Sequence, residues 1–315
     1  MSRVLLVFID GVGIGRPDPD VNPLAGLSIL GNTLPADWHP PEGGGRPGSL
    51  PAPVREAPLP RGGIARAVDA SLGMPGLPQS ATGQTTLFTG VNAARALGHH
   101  LYGYPGPVLR KILMESSVLK RAAAADKRAA FLNAYRPLFF ELGEAIWDRP
   151  MSASTWNNRA AGLPFMTVDD ILERRALYHD YTNREPIERG IELPEWSPEE
   201  AGQVLAEAAA GHDLAIYEYF LTDRVGHTGE MARARAIADG LDRFLAALVA
   251  AADLSEQTIV VTSDHGNIDD MASRSHTLHP VPGLVWGPDA AALADRLDRL
   301  EDFAGALLGQ AGVHE

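Results

Sequence analysis

The chain has 315 residues, 45% hydrophobic and 21% charged, an ordinary globular composition with enough apolar side chains for a substantial core. Its 27 Lys and Arg against 40 Asp and Glu leave a formal charge of -13, which disfavours non-specific attraction to nucleic acid or to an anionic membrane, so a bound anion would need local help from metal ions or a few arginines. With no cysteine at all, disulfides, thiolate metal sites and a nucleophile made from cysteine are excluded.

Val4–Ile9 is an apolar run that Asp10 stops well short of a signal-peptide core. It reads as a buried parallel strand running into the loop Asp10-Gly11-Val12-Gly13. No later run approaches the ~20 apolar residues of a membrane span, so a cytoplasmic protein is expected. From about Asn32 to Pro78 the sequence is crowded with Pro and Gly, including Pro40-Pro41 and Gly43-Gly44-Gly45, and reads as mostly loop. Ser80-Ala81-Thr82-Gly83-Gln84 opens a short helix, capped by the serine and closed by Gly90. Leu109–Leu119 reads as helix and Ala129–Ala134 as strand.

Between about Arg136 and Trp196 periodicity weakens, as in an insertion or cap. Ser197-Pro198-Glu199-Glu200 restores order as a capping-box helix start, with Gly211 as its stop. Leu214–Phe220 follows as a strand. Ile237, Leu241, Leu245 and Leu248 then recur at helical spacing, before strands at Thr258–Thr262 and Leu284–Trp286 and a last helix around Leu293–Leu308. Alternating strands and helices predict an α/β fold, a mostly parallel central sheet flanked by helices. In such sheets ligands gather beyond the carboxyl ends of the strands.

Polar residues recur at those places. Asp10 follows the first strand, Asp223 and His227 follow Leu214–Phe220, Asp264-His265 follows Thr258–Thr262, and His276 and His279 precede Leu284–Trp286. Four of the ten histidines fall between positions 227 and 279. Taken singly, each Asp has a plain alternative as a helix cap and each His as a surface or core group. Together, carboxylates and imidazoles are a ligand set for zinc or manganese, whereas an all-oxygen set would favour magnesium or calcium.

Five stretches, in this order along the chain, resemble the metalloenzyme core that cofactor-independent phosphoglycerate mutase and phosphopentomutase share within the alkaline phosphatase superfamily. They are Phe8-Ile9-Asp10-Gly11, Ser80-Ala81-Thr82-Gly83, Asp223-Arg224-Val225-Gly226-His227-Thr228-Gly229, Asp264-His265-Gly266-Asn267, and His276-Thr277 with Pro280-Val281-Pro282. The resemblance covers roughly residues 1–135 and 197–315, an alkaline phosphatase-like core, and leaves 136–196 as a small inserted cap. It implies two divalent metal ions. Asp223, His227 and His276 would hold one; Asp10, Asp264, His265 and the Ser80 oxygen would hold the other. His279 has no counterpart among those ligands and is either a support behind one of them or a plain loop histidine.

Ser80 is then the expected nucleophile. A serine hydroxyl attacks poorly at neutral pH, but a dication on its oxygen lowers its pKa and a helix N-terminus adds positive potential. The implied activity is transfer of a phosphoryl group from a phosphorylated small molecule through a phosphoserine; no nucleic-acid or membrane partner is expected. Where the mutases carry histidine shortly after the nucleophile this chain has Gln84, and its middle segment is far shorter than the substrate domain of the phosphoglycerate enzyme. Both departures favour a phosphatase over a mutase. A phosphodiesterase or phosphonate-cleaving enzyme, and a metal-binding protein without turnover, are the alternatives. Arg136, Arg159, Arg174, Arg175 and Arg184 in the cap could grip an anion or lie solvated on the surface.

Overall fold

A computed structural model describes residues 3–35, 37–39 and 57–313. Seven strands form one sheet: β1 (Arg3–Ile9), β2 (Ala57–Leu59), β3 (Gly63–Val68), β4 (Ala129–Phe131), β5 (Leu214–Tyr219), β6 (Gln257–Thr262) and β7 (Val281–Trp286). Their order across the sheet is β2-β3-β7-β6-β1-β5-β4. β4, β5, β1 and β6 are mutually parallel, and β7, β3 and β2 continue the sheet by antiparallel pairing.

The continuous apolar character of β1 follows from burial on both faces. Alternate side chains serve opposite layers. Val4, Leu6 and Phe8 pack with residues of the helices Ser80–Thr89 and Leu300–Gln310, whereas Leu5, Val7 and Ile9 join residues of Pro198–Ala209 and Met231–Ala251. Phe8 meets Phe88 edge-on at 5.6 Å, tying the central strand to the helix that begins at Ser80. Truncating such a residue to Ala costs about 3–5 kcal/mol. On the other face Leu241, Leu245 and Leu248 are buried and Ile237 packs partly buried, as their spacing implies. Ser197 accepts the Glu200 N–H at the start of Pro198–Ala209.

Several local expectations need correction. The Pro- and Gly-rich stretch expected to be loop contains β2 and β3; Pro40-Pro41 and Gly43-Gly44-Gly45 lie outside the described residues. In β3 the inward Arg66 hid the pattern: its guanidinium bonds Asp295 at 2.9 Å and Asp298 at 2.8 Å. The expected helix Leu109–Leu119 breaks at Ser117, which is extended, and the last expected helix is two, Ala290–Ala294 and Leu300–Gln310. Ser80 is the first helical residue, after Gln79 as the cap, so its hydroxyl is not used in capping. Within residues 136–196, the Ala153–Ala160 helix packs against Ser80–Thr89 and its Trp156 joins the apolar layer under β1. Among the described residues no helix is long and apolar enough to cross a membrane.

Candidate metal centre

Parallel β1, β5 and β6 end on one edge of the sheet, and antiparallel β7 begins there. That is why His276, which precedes its strand, meets residues that follow theirs. Asp10 directly follows β1, and Gly11 beside it has φ +75°, where a Cβ would lie 2.8 Å from Asp223. Asp223 and His227 sit one helical turn apart after β5, on one face. Thr222 fastens this turn to β1 by donating to the Asp10 carbonyl at 2.5 Å.

Two groups of donors result. In the first, Asp223 lies 3.4 Å from His227 Nε2 and 3.5 Å from His276 Nε2, and the two Nε2 atoms are 3.3 Å apart. The other ring nitrogens are engaged behind them: His227 Nδ1 with the Arg274 carbonyl at 2.9 Å and His276 Nδ1 with the Pro78 carbonyl at 2.7 Å. Carbonyls accept only, so both Nδ1 atoms carry hydrogen, which leaves the Nε2 atoms to share a proton or a cation. In the second group, His265 Nε2 is 3.0 Å from Ser80 Oγ, 3.3 Å from Asp10 Oδ1 and 3.4 Å from Asp264 Oδ2. The His265 and His276 rings stack at 3.7 Å and join the groups.

Electrostatics in this pocket call for positive charge. Asp264 and His265 are wholly buried, and Asp10 nearly so. Both Asp264 carboxylate oxygens and Asp10 Oδ1 lack any hydrogen-bond partner. Burial, then the charge of Asp223, pushes the Asp264 carboxyl up to about 7; burial and then Asp264 push Asp10 well up. Burial, then His276, pushes His265 down to about 3. Asp223 is the exception: burial works to raise it, but its bonds to His227 and His276 hold it well below the usual carboxylate range, and it pushes His227 up to about 9. A buried, unpartnered carboxylate is costly unless a cation neutralises it. The donor set therefore fits divalent metal ions. Asp223-His227-His276 and Asp10-Asp223-His265 are each close enough to share one ion.

Other residues take supporting places. Gln84 donates to Asp10 Oδ2 at 3.0 Å. His279 lies away from both donor groups; its Nδ1 bonds Asp269 at 2.6 Å and its ring meets Trp38 edge-on. Asp269 also accepts from the Gly13 N–H and from Thr277, and Asn267 donates to Asp223 at 2.6 Å. Asn267 stood inside a quoted motif and Asp269 just beyond it, yet nothing in their spacing distinguished these roles. Glu218, one position before the end of β5, was missed: inside a strand a single Glu reads as an outward face, but here it is buried.

The cap arginines separate. Arg159 lies over the Trp147 ring at 3.7 Å. Arg174 pairs with Glu200 and Glu207, Arg175 with Asp170, and Arg184 with Glu195. Arg136 lines a cavity together with Arg149, which had not been singled out.

Residues 189–313 match the family model described as the Metalloenzyme superfamily. The 2,3-bisphosphoglycerate-independent phosphoglycerate mutase of Dinoroseobacter shibae is 39% identical over 124 residues, covering 36% of this chain and 24% of that enzyme. The matched part is thus about a quarter of the length of the curated relatives. Among solved structures, the PH0037 protein of Pyrococcus horikoshii superposes with a TM-score of 0.56 at 17% identity, covering 100% of this chain and 98% of that one. A mutant TAB5 alkaline phosphatase with Mg bound gives 0.50 at 11% identity over 99% of this chain and 98% of that one. These two likenesses concern the fold. The resemblance to alkaline phosphatase superfamily metalloenzymes, carried by five short motifs, is borne out.

Proposed function

We propose that this chain is a two-metal phosphoryl-transfer enzyme acting on a phosphorylated small molecule, with Ser80 as nucleophile. One observation carries the reading: Ser80 Oγ stands 3.0 Å from His265 Nε2 at a point where unpartnered oxygens of Asp10 and Asp264 also converge, beside the Asp223-His227-His276 group. A structural metal would need no serine there. Asp223, His227 and His276 would hold one ion and Asp10, Asp264, His265 and Ser80 the other, with Mn or Zn favoured by the mixed oxygen and nitrogen donors. Bound there, divalent ions would supply the charge that makes the hydroxyl acidic and steadies the attacking and departing oxygens.

The protein's own contribution is placement. Ser80 opens a helix whose first N–H groups are free to meet phosphoryl oxygens. Its oxygen forms the new bond to phosphorus as the leaving oxygen departs on the opposite side, giving a phosphoserine. Discharge to water makes a phosphatase; return to a rearranged substrate makes a mutase. Gln84, bound to Asp10 where the mutases have a histidine, supports the phosphatase, as does the short segment 136–196, which we read as a cap on the core 1–135 and 197–315. The test is hydrolysis of an aryl phosphate by protein loaded with manganese or zinc, with release of inorganic phosphate followed against formation of an isomeric phosphate. Failure of both metal-loaded forms to turn over any phosphomonoester would refute the proposal.

A further inference from the structure

The donor groups open into a cavity of about 680 Å³ bounded by Asp10, Ser80, Gln84 and Asp223. A second cavity of about 590 Å³ adjoins it, reaching Tyr135, Arg136, Phe139, Tyr178 and His179. Glu218 and Phe220 belong to the walls of both. Phe220 is also where the Asp223 turn starts: its carbonyl accepts the Arg224 N–H at 3.3 Å as the helix Leu221–Gly226 begins. Where Phe220 stands therefore decides where Asp223 and His227 point.

Two core residues already hold this turn. Thr222 ties it to the end of β1, and Asn267 donates to the Asp223 carbonyl at 3.2 Å and to its carboxylate at 2.6 Å. From the inserted segment 136–196, which the five motifs do not cover, His179 reaches the same turn. Its ring stacks on Phe220, with centroids 4.3 Å apart and planes 28° apart. Its Nε2 meets Glu185 at 2.8 Å. That bond holds the Glu185 carboxyl down to about 2, so Glu185 is an anion that only accepts and Nε2 carries the hydrogen. Glu185 also pairs with Arg189 at 2.9 Å and reaches Arg224, beside Asp223, at 3.8 Å. Arg224 is 60% exposed, so that long contact adds little, and the stacked ring is what bears on the turn.

His179 is itself well fixed. Tyr217, in β5, donates to the Tyr178 carbonyl at 2.9 Å, and Leu177 pairs with Asn133 just beyond β4. Asp180 accepts the Glu185 N–H at 2.9 Å and the Thr182 hydroxyl at 2.6 Å, which sets Glu185 against the imidazole. His179 belongs to neither candidate donor group. A metal cradle needs its donors within about 0.5 Å of their places, and a ligand carried on one short helical turn is only as steady as the start of that turn. We propose that His179 is a positioning residue for the metal centre: stacked on Phe220 and oriented by Glu185, it holds the turn that carries Asp223 and His227, so that the inserted segment braces the Asp223-His227-His276 position.

The inference rests on the two-metal reading, and its test separates the two. Zinc-loaded protein is titrated with a chelator of known affinity, and retained zinc is counted by elemental analysis. In His179→Ala one of the two ions should leave at about tenfold lower chelator strength than in wild type, the size expected when a support behind a ligand is removed, while the other ion is held as before. His179→Phe, which keeps the stacked ring and loses the bond to Glu185, should recover most of that affinity. His179→Gln, which keeps a bond to Glu185 and loses the ring, should not. Should His179→Ala fail to fold, the Phe and Gln variants, both close to histidine in volume, carry the same comparison. Equal retention in wild type and every variant overturns the inference; so does equal weakening of both ions, which marks a merely structural role, and so does rescue by Gln rather than Phe. A wild type that retains no zinc refutes the metal reading itself, and the inference falls with it.

Discussion

The metal cradle and the cavity beside it are built in opposite ways. Each ligand proposed for the cradle except Ser80 follows or precedes a strand by a short connection: Asp10 after β1, Asp223 and His227 in and just after the short helix that follows β5, Asp264 and His265 after β6, His276 in the loop before β7. Strand ends are fixed by sheet pairing, so short sequence runs place these side chains reproducibly. The second cavity draws on positions from Tyr104 to Phe220, carried by β4, β5 and the short helices and turns of several other segments. The cradle should therefore fail sharply when one atom is removed, and the cavity should fail by degrees.

The sharpest break falls at Ser80. Ser80→Ala should still bind metal and substrate but lose phosphoenzyme formation, with turnover falling by about three or more orders of magnitude, since no other atom takes its place in the covalent step. Acid quenching of wild type with a phosphomonoester should leave phosphate on the peptide containing Ser80, detected by mass spectrometry. Phosphate on Thr82 or Thr85 instead would mean that the nucleophile has been assigned wrongly; full turnover in Ser80→Ala without any phosphopeptide would point to direct attack by water.

Next come the ligands. Asp264→Asn keeps the shape and removes the charge, so metal content and activity should drop together. His227→Ala and His276→Ala should each empty one position and leave the fold in place, because both rings sit on loops and bond only to backbone carbonyls behind. Elemental analysis with circular dichroism checks all three; equal metal content in Asp264→Asn and wild type would break the assignment.

This contrast also explains what the sequence revealed. Val4–Ile9, Leu214–Phe220 and Thr258–Thr262 were legible because strands buried on both faces are unbroken apolar runs. β2 and β3 were not, since Pro and Gly dominate around them and Arg66 interrupts the inward face, its charge met by Asp295 and Asp298, more than two hundred residues away. His279 resembles the proposed ligands in type and position, and only tertiary contacts with Asp269 and Trp38 set it apart. Glu218 left no signal, because its burial depends on Asn133 and Ser154, both in other elements.

A smaller effect is expected where the cradle meets its support. Asp269 is 1% exposed and accepts from Gly13, Thr277 and His279. Asp269→Ala leaves those donors unsatisfied and should cost about 3 kcal/mol of stability while metal stoichiometry is kept. Urea unfolding and elemental analysis decide; loss of metal at unchanged stability would make Asp269 part of the ligand set.

The last effect sharpens the comparison from the cavity side. Burial raises the Glu218 carboxyl from its ordinary 4.5 to about 7, so between those pH values the folded chain holds a proton that the unfolded chain has released. Unfolding free energy then falls as pH rises. The contribution is fully present below about 4.5 and is lost as pH passes through 7. Glu218→Gln removes it, so in metal-free protein the Tm of the variant should gain on wild type across this window and level off above it. Asp264 titrates in the same range in both proteins, and largely cancels in the difference. Thermal melts of the pair from pH 4.5 to 8 in the presence of a chelator give the curve. A flat difference would mean that the carboxyl is already ionised throughout, held by a cation or by water.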